Sequence, residues 1–393
     1  MLNRRILRVK AMQGLYAYYN SIDANFNLAI DRINDTFDTQ LLNDHSLDKK
    51  EIHKKKNLSV ELFRNAVKNG KVDGKIEESD EPTRTALNFF DQFVDSCKKD
   101  LTYFRKNMLS EAEKIYDLYI LLLILPVELS AIENEEAGIR VDLKTRQSKK
   151  IPVESGILER NRIISRIARD KEIIDYCSKK KITWKKHEDI TSDFYKKILK
   201  KNQEFLSHRG AVAGNLETDR EFCLLLYKEL LFKNPSFNDF MESMDINWAD
   251  DAEVLKSMVT KTIKNLKDNA DEIEFSTLSK NWPDDREFFR EIFNITIKND
   301  REYDEIIAKK STNWDISRIA LTDRIILKMA IGEMINFPGI PVKVTINEYI
   351  ELSKNFSTPK SKKFVNGILD VVSMELLDKG VIKKSGRGLI DNQ

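Results

Sequence analysis

Residues 314–372 decide the fold, and they read WDISRIALTDRIILKMAIGEMINFPGIPVKVTINEYIELSKNFSTPKSKKFVNGILDVV. Apolar residues recur at helical spacing through three segments, which proline and glycine separate. Asp315 can cap a first helix over residues 316–336, and the breakers of FPGIP end it. A second helix follows across VTINEYIELSKNF, and Ser361 can cap a third helix that ends at Gly380. The stretch therefore predicts a helical bundle.

The rest of the chain favours helix as well. Its 393 residues include only 13 glycines and 8 prolines, while helix-forming Lys, Glu, Leu and Ile are abundant. From about residue 86 to 280, one amphipathic segment follows another. The most apolar run, residues 118–129, is too short to span a bilayer and contains Pro126. We therefore predict an all-α protein in which this run is a buried core helix and no segment enters a membrane.

Charge is unevenly distributed along the chain. The formal net charge is only +2, although 33% of the residues are charged. A near-neutral total argues against a protein that coats nucleic acid by bulk charge, but it leaves room for a local basic site. The first 22 residues carry Arg4, Arg5, Arg8 and Lys10 and no acidic residue, which makes this segment a candidate for anion binding.

A lysine run, DKKEIHKKKN, and the polar stretch KNGKVDGKIEESDEPT dominate residues 38–85. Low apolar content and high charge are typical of segments that cannot form a core. We therefore predict a mobile surface insertion or a partly disordered linker near residues 40–85. Such a lysine run is more often a solvated surface than a nucleic-acid site.

Two segments of the chain resemble each other at an offset of 66 residues. Residues 221–248 begin EFCLLLYKELL and end DINW, and residues 287–314 begin EFFREIFNITI and end STNW. Trp248 and Trp314 occupy equivalent positions, where each would fill the core of its own bundle. The similarity indicates either a weak duplication of a helix pair or two amphipathic pairs that arose by chance.

No motif of the common enzyme classes is present: neither the P-loop, nor GxGxxG, nor HExxH, nor GxSxG. The histidines are scattered without metal-ligand spacing: His45, His53, His187 and His208. The cysteines form no CxxC pair: Cys97, Cys177 and Cys223. The sequence predicts a protein that is not an enzyme, that needs no cofactor or metal, and that resides in a reducing, cytoplasmic compartment.

Two parts of the chain resemble the NusB family of transcription antitermination factors. Within residues 314–372, IPVKVTINEYIELSK followed by KFVNGILD is a long and specific match. RRILRVKAMQGLYAYY (4–19) resembles the arginine-rich N-terminal helix of the family, and DDREFFREIF (284–293) is similar to the helix before the C-terminal half. The short family pattern covers residues 1–30 and 283–378. The roughly 250 residues between them resemble the long insertion of some bacterial relatives.

The resemblance implies two small helical bundles packed together. It also implies binding of a boxA-type single-stranded RNA, a heterodimer with the ribosomal protein NusE, and a place in an RNA polymerase antitermination complex. Some members self-associate, so a homodimer is compatible with it. The expected domains are a NusB-like body from residues 1–30 and 283–380, a helical insertion over 31–282, and a disordered tail over 381–393.

A site for single-stranded RNA needs cations for phosphates, a stacking surface, and polar side chains for base edges. The resemblance together with these needs gives the expected RNA-binding residues: Arg4, Arg5, Arg8, Lys10, Gln13, Tyr16, Lys362, Lys363 and Phe364. Periodicity alone places Phe364 in the core, and Tyr16 could be a core residue as well. The arginine run of the family is denser than the run in this chain, which Ile6 and Leu7 interrupt.

One acidic residue is expected at the protein-partner surface. Asp323 matches a family position that faces NusE, although it could equally be a surface residue paired with Arg324 or Lys328. The alternative function is a protein–protein scaffold in transcription or ribosome assembly without sequence-specific RNA binding.

Overall fold

A computed structural model describes residues 1–44, 46–70, 80–137, 156–210, 215–267, 273–310 and 319–392. Within these ranges every regular element is helical, which confirms the predicted all-α class. The α-helices in chain order are α1 (Arg4–Asn43), α2 (Lys49–Asn69), α3 (Glu81–Glu136), α4 (Ile157–Arg160), α5 (Arg162–Arg169), α6 (Lys171–Lys180), α7 (Glu188–Lys197), α8 (Gln203–Gly210), α9 (Leu216–Leu225), α10 (Pro235–Met244), α11 (Trp248–Asn265), α12 (Trp282–Lys298), α13 (Asp300–Lys310), α14 (Leu321–Asn336), α15 (Val342–Phe356) and α16 (Ser361–Asp378). Shorter helical pieces are the π segment Leu226–Leu231 and the 3-10 turns Lys185–His187, Leu199–Lys201 and Gly386–Asn392.

The chain forms two compact units. The terminal unit comprises Arg4–Ser110 and Arg286–Gln393, and the middle unit comprises Met1–Asn3 and Glu111–Asp285. These boundaries differ from the expected insertion over residues 31–282, because α1, α2 and the first half of α3 belong to the terminal unit. The added sequence is therefore divided between the two units.

Helix α14 is the centre of the terminal unit. It contacts α1, α13, α15 and α16, and 11 of its 16 residues are buried. A helix that is buried on nearly all sides lies inside a protein rather than on its surface. Gly332 permits close packing, since a Cβ there would lie 3.3 Å from Ile295 and from Tyr303. The expected cap at Asp315 lies outside the described residues.

Helices α1, α2 and α3 pack around a second core in the terminal unit. The ring of Phe63 in α2 stacks at 5.5 Å on Phe26 and meets Phe93 edge-on at 5.9 Å. Asp48 caps α2 by accepting a hydrogen bond from the Lys50 backbone N–H at 2.8 Å. The expected mobile segment is thus corrected for residues 49–69, because apolar residues line one face and the lysines occupy the other faces. Residues 71–79 lie outside the described part of the chain.

The middle unit is built on the apolar half of α3. Tyr119 and its apolar neighbours are buried, as predicted for this run. Trp184 donates from Nε1 to the Leu121 carbonyl at 2.7 Å, and Trp248 stacks on Phe232 at 5.7 Å. Of the described helices, α3 alone is long and apolar enough to cross a membrane by length and composition. Since 61% of its most apolar stretch is buried in the protein, it resembles a core helix. Trp314, the expected counterpart of Trp248, lies outside the described residues.

The C-terminal segment packs on the loop that follows α14. Lys384 Nζ donates to the Phe337 carbonyl at 3.1 Å, and the Ser385 N–H donates to the Pro338 carbonyl at 3.1 Å. The expected disorder of residues 381–393 is therefore corrected up to residue 392, because these bonds tie the segment to the loop.

Candidate nucleic-acid interface

One face of α1 presents three of the expected RNA-binding residues. At 100° per residue, Arg5, Gln13 and Tyr16 fall within about 80° of one another around the helix axis. Arg5 and Tyr16 are exposed, and Gln13 is half-buried. Tyr16 keeps 45% of its surface accessible to solvent, so its ring is available for stacking.

Two other expected residues of α1 are buried. Arg8 is 3% exposed and Lys10 is 8% exposed. The Arg8 guanidinium donates from Nε and Nη2 to the two carboxylate oxygens of Glu333, both at 2.7 Å. The expectation of RNA contact is therefore corrected for Arg8 and Lys10, because both side chains point away from solvent.

Glu333 organises the interior beneath the N-terminal helix. It is fully buried and accepts hydrogen bonds from Thr345 Oγ1 at 2.9 Å and from Tyr349 OH at 3.1 Å, besides those from Arg8. Burial lowers the pKa of Arg8, but the charge of Glu333 and its hydrogen bonds outweigh burial and raise it above the ordinary value. Sequence reasoning missed Glu333, although a lone acid within LKMAIGEMI is the signal of a buried pair.

The two outer arginines of α1 stay at the surface. Arg5 donates from Nε and Nη2 to Glu348 at 2.9 and 2.7 Å, and these hydrogen bonds lower the pKa of Glu348. The Arg4 guanidinium lies over the ring of buried Phe288, 4.9 Å from its centre. Such a contact holds a cation in place while one of its faces remains open to solvent.

The start of α16 supplies the second group of expected residues. Lys362 and Lys363 are exposed, and Phe364 is half-buried. No side chain caps this helix at Lys360. The backbone N–H groups of Ser361 and Lys363 donate to the carbonyls of Thr358 and Lys360 instead, so the attraction of this helix end for an anion comes from its lysines and the helix dipole.

Glu351 in α15 links these two groups. A hydrogen bond from Lys354 makes the largest contribution to lowering the pKa of Glu351, and the charges of Arg5 and Lys362 lower it further. Cations from opposite ends of the sequence therefore act on one half-buried carboxylate. The fold brings the start of α1 and the start of α16 to a common surface.

Asp323 does not occupy either of its expected positions. It is 5% exposed, and its Oδ2 accepts a hydrogen bond from Ser361 Oγ at 2.6 Å. Arg324 and Lys328 bind Asp304 instead, at 2.7 and 2.8 Å. A residue buried in this way cannot present its carboxylate to a protein partner, so its observed role is to hold the first turn of α16 against α14.

A second buried ion cluster joins α1, α13 and α14. Lys328, 1% exposed, binds both Asp300 and Asp304. Its ammonium lies 5.4 Å from the centre of the Tyr19 ring, and the Tyr19 hydroxyl donates to Asp300. Burial and the charge of Asp300 raise the pKa of Tyr19. The cluster fixes the position of α1 and hence the position of its exposed face.

Part of the chain is similar to proteins of a known family. Residues 238–374 match the model of the NusB family. The Transcription antitermination protein NusB of Chloroherpeton thalassium is 50% identical over 91 residues, which are 23% of this chain and 43% of the relative. The protein of the same name from Salinibacter ruber is 49% identical over 89 residues, 23% of this chain and 56% of the relative. The chain spans about half the length of the curated relatives it matches.

A structural comparison finds NusB of T. maritima, at 26% identity and a TM-score of 0.23, covering 40% of this chain and 91% of that chain. The family match begins upstream of the expected boundary at residue 283 and does not include α1.

Proposed function

We propose, from the premise that residues 238–374 match the NusB family, that the terminal unit binds boxA-type single-stranded RNA in transcription antitermination. The observation that carries the proposal is that α15 lies against both cation groups. Arg5 binds Glu348 of α15 at 2.9 and 2.7 Å, and α16, which begins with Lys362 and Lys363 in its first turn, packs against α15. The name Transcription antitermination protein NusB, which two curated relatives carry, supports the antitermination part of the proposal.

Each surface residue has a distinct task in this proposal. Arg5 and the lysines at the start of α16 neutralise phosphates, and Arg5 exchanges Glu348 for a phosphate when RNA binds. The exposed Tyr16 ring stacks on a base, and Gln13 contacts a base edge. Phe364 lines the margin of the surface, while Arg8 and Lys10 support α1 from within.

The proposal extends to the partners. We infer that the protein binds the ribosomal protein NusE, enters an RNA polymerase antitermination complex in the cytoplasm, and acts there by binding rather than by catalysis. The names of the relatives support the transcriptional setting.

RNA binding can be tested by fluorescence anisotropy with a labelled boxA-type RNA at several salt concentrations. We expect Arg5→Gln/Lys362→Gln to bind more weakly. The slope of log affinity against log salt should fall by about 1.4, because two phosphate contacts are lost at about 0.7 each on single strands. The matched control is Lys98→Gln/Lys379→Gln, which removes two exposed lysines of the same unit.

The control variant should keep the affinity and the salt slope of the original protein. An equal loss of RNA affinity in both variants would mean that binding depends on the total positive charge of the protein. That result would overturn the proposed surface. Adding NusE should tighten RNA binding by the original protein. Capture of NusE without any preference for boxA-type RNA over an unrelated RNA would leave the scaffold function instead.

A further inference from the structure

The middle unit has a groove on its surface. The groove has a volume of about 580 Å³ and is open to solvent. It lies between α3, α6, the segment 273–278 and Trp282. Pockets that hold small ligands are typically about 300–1,000 Å³, so the groove has room for a side chain of a partner. Four half-buried aromatic side chains line the groove: Tyr116, Tyr176, Phe275 and Trp282.

The charges of the groove are unbalanced. Its charged lining residues are Glu113, Glu172 and Lys180. The Lys180 ammonium lies 3.3 Å from Asp117, so its charge is neutralised within the protein. Glu113 and Glu172 are both exposed. With two carboxylates and one ammonium, the lining has a negative formal charge, which disfavours phosphate-bearing ligands and favours cations.

The aromatic rings are held in a fixed arrangement. Tyr116 and Tyr176 meet edge to face, with ring centres 5.4 Å apart. The Tyr176 hydroxyl donates to Asp117 at 2.6 Å, which fixes the ring. Lys180 Nζ lies 5.9 Å from the centre of the Tyr176 ring, so a cation already sits at this ring. Rings beside carboxylates form a site for a lysine or arginine side chain.

The groove also borders backbone suited to an extended partner. Residues 273–277 form neither helix nor strand. Within the described part of the chain, the N–H and C=O of Phe275 make no hydrogen bond to another backbone group. An extended peptide can form hydrogen bonds with the backbone groups of Phe275 while its side chains contact the groove.

We propose that this groove binds an extended, positively charged peptide segment of a partner protein, with a lysine or arginine side chain against Tyr116 and Tyr176 and near Glu172. Charge complementarity selects this occupant, since the exposed carboxylates of the groove attract a basic segment and repel an acidic one. The proposal is independent of RNA binding, because it uses no residue of the terminal unit.

The test is anisotropy of the full chain with a fluorescein-labelled peptide, Ala-Arg-Val-Lys-Val-Arg-Ala, and with its counterpart in which glutamate replaces each basic residue. The basic peptide should bind and the acidic one should not. Glu113→Gln/Glu172→Gln should weaken binding about tenfold. The matched control, Glu221→Gln/Glu253→Gln, neutralises two exposed acids elsewhere in the middle unit and should leave binding unchanged.

A gain of affinity gives a second readout that misfolding cannot produce. Lys180→Gln removes the resident cation and leaves the charge of Asp117 without its ion pair, so the basic peptide should bind about threefold more tightly. The Arg5→Gln/Lys362→Gln variant should bind the peptide as the original protein does. The proposal is overturned by equal binding of the two peptides, by no binding of the basic peptide, or by equal weakening in the groove and control variants.

Discussion

Glu333 and Arg8 form a charge pair with almost no access to water. Burying two charges is costly, and only close, fully hydrogen-bonded geometry offsets that cost. The pair has such geometry, because Thr345 and Tyr349 occupy further acceptor positions on the Glu333 oxygens. The two residues therefore contribute to the position of α1 more than to net stability.

Removing only one charge of this pair should be strongly destabilising. We expect Glu333→Gln to lower the free energy of unfolding by about 3 kcal/mol, because Arg8 would stay buried without its main partner. Glu348, 3.6 Å from Arg8 Nη1, would compensate only part of that charge. Urea unfolding measures the effect. Arg5→Gln breaks an exposed pair and serves as the control, with an expected change below about 1 kcal/mol. Similar changes in both variants would contradict this reading.

Asp304 should contribute to stability in a pH-dependent way. Burial raises its pKa, but the hydrogen bonds and charges of Arg324 and Lys328 outweigh burial and lower the pKa below the ordinary value of 3.8. A lowered pKa in the folded state gives stability that is present above pH 3.8 and lost as the pH falls through the folded value. As the pH is lowered, the free energy of unfolding of Asp304→Asn should therefore fall less steeply than that of the original protein. Asp378→Asn, an exposed control, should follow the original curve.

Only part of the site could be predicted from the residues alone. Helical geometry places Arg5, Gln13 and Tyr16 on one face and turns Arg8 toward another. Which of these faces is buried depends on Glu333, which lies 325 positions along the chain from Arg8. The charge pattern of the N-terminal segment therefore indicated the surface but could not separate its contact residues from its internal ion pair.

At the scale of elements, α2 shows how charge can conceal a core helix. We expect Phe63→Ala to cost about 3–5 kcal/mol, because it removes a fully buried ring that contacts Phe26 and Phe93. Leu58, which is 42% exposed on the same helix, provides the control substitution Leu58→Ala. Chemical denaturation would compare the two. A small effect of Phe63→Ala, equal to that of the control, would mean that α2 does not pack as described.

The elements that could be predicted are those whose boundaries depend on local chemistry. The end of the helix before FPGIP and the end near Gly380 agree with α14 and α16, since proline and glycine act within one turn. Ser361 was expected to cap α16, but it is the first residue of that helix and donates to Asp323. The lysine run was misjudged because its charges outnumber the few apolar residues that determine its packing.

At the scale of the whole molecule, each compact unit has its own buried core, as independently folding domains do. We therefore expect circular dichroism to record two transitions during urea unfolding. Phe63→Ala should shift one transition, and Trp184→Phe, which removes the hydrogen bond to Leu121, should shift the other. One transition that moves in both variants would show that the two cores unfold together.

Helix α1 carries two packing surfaces along a single axis about 60 Å long. Its first half meets α13 and α14 through Arg8 and Tyr19, and its second half meets α2 and α3 through Ile33 and Phe37. Because the helix is continuous, the number of residues between the two sets of contacts fixes the angle between them around the helix axis. Loss of one residue between Tyr19 and Ala29 would turn one end by about 100° relative to the other, whereas a gain of seven would turn it by only about 20°. Related chains can therefore vary this interval in whole heptads, but single-residue changes would put the two ends out of phase.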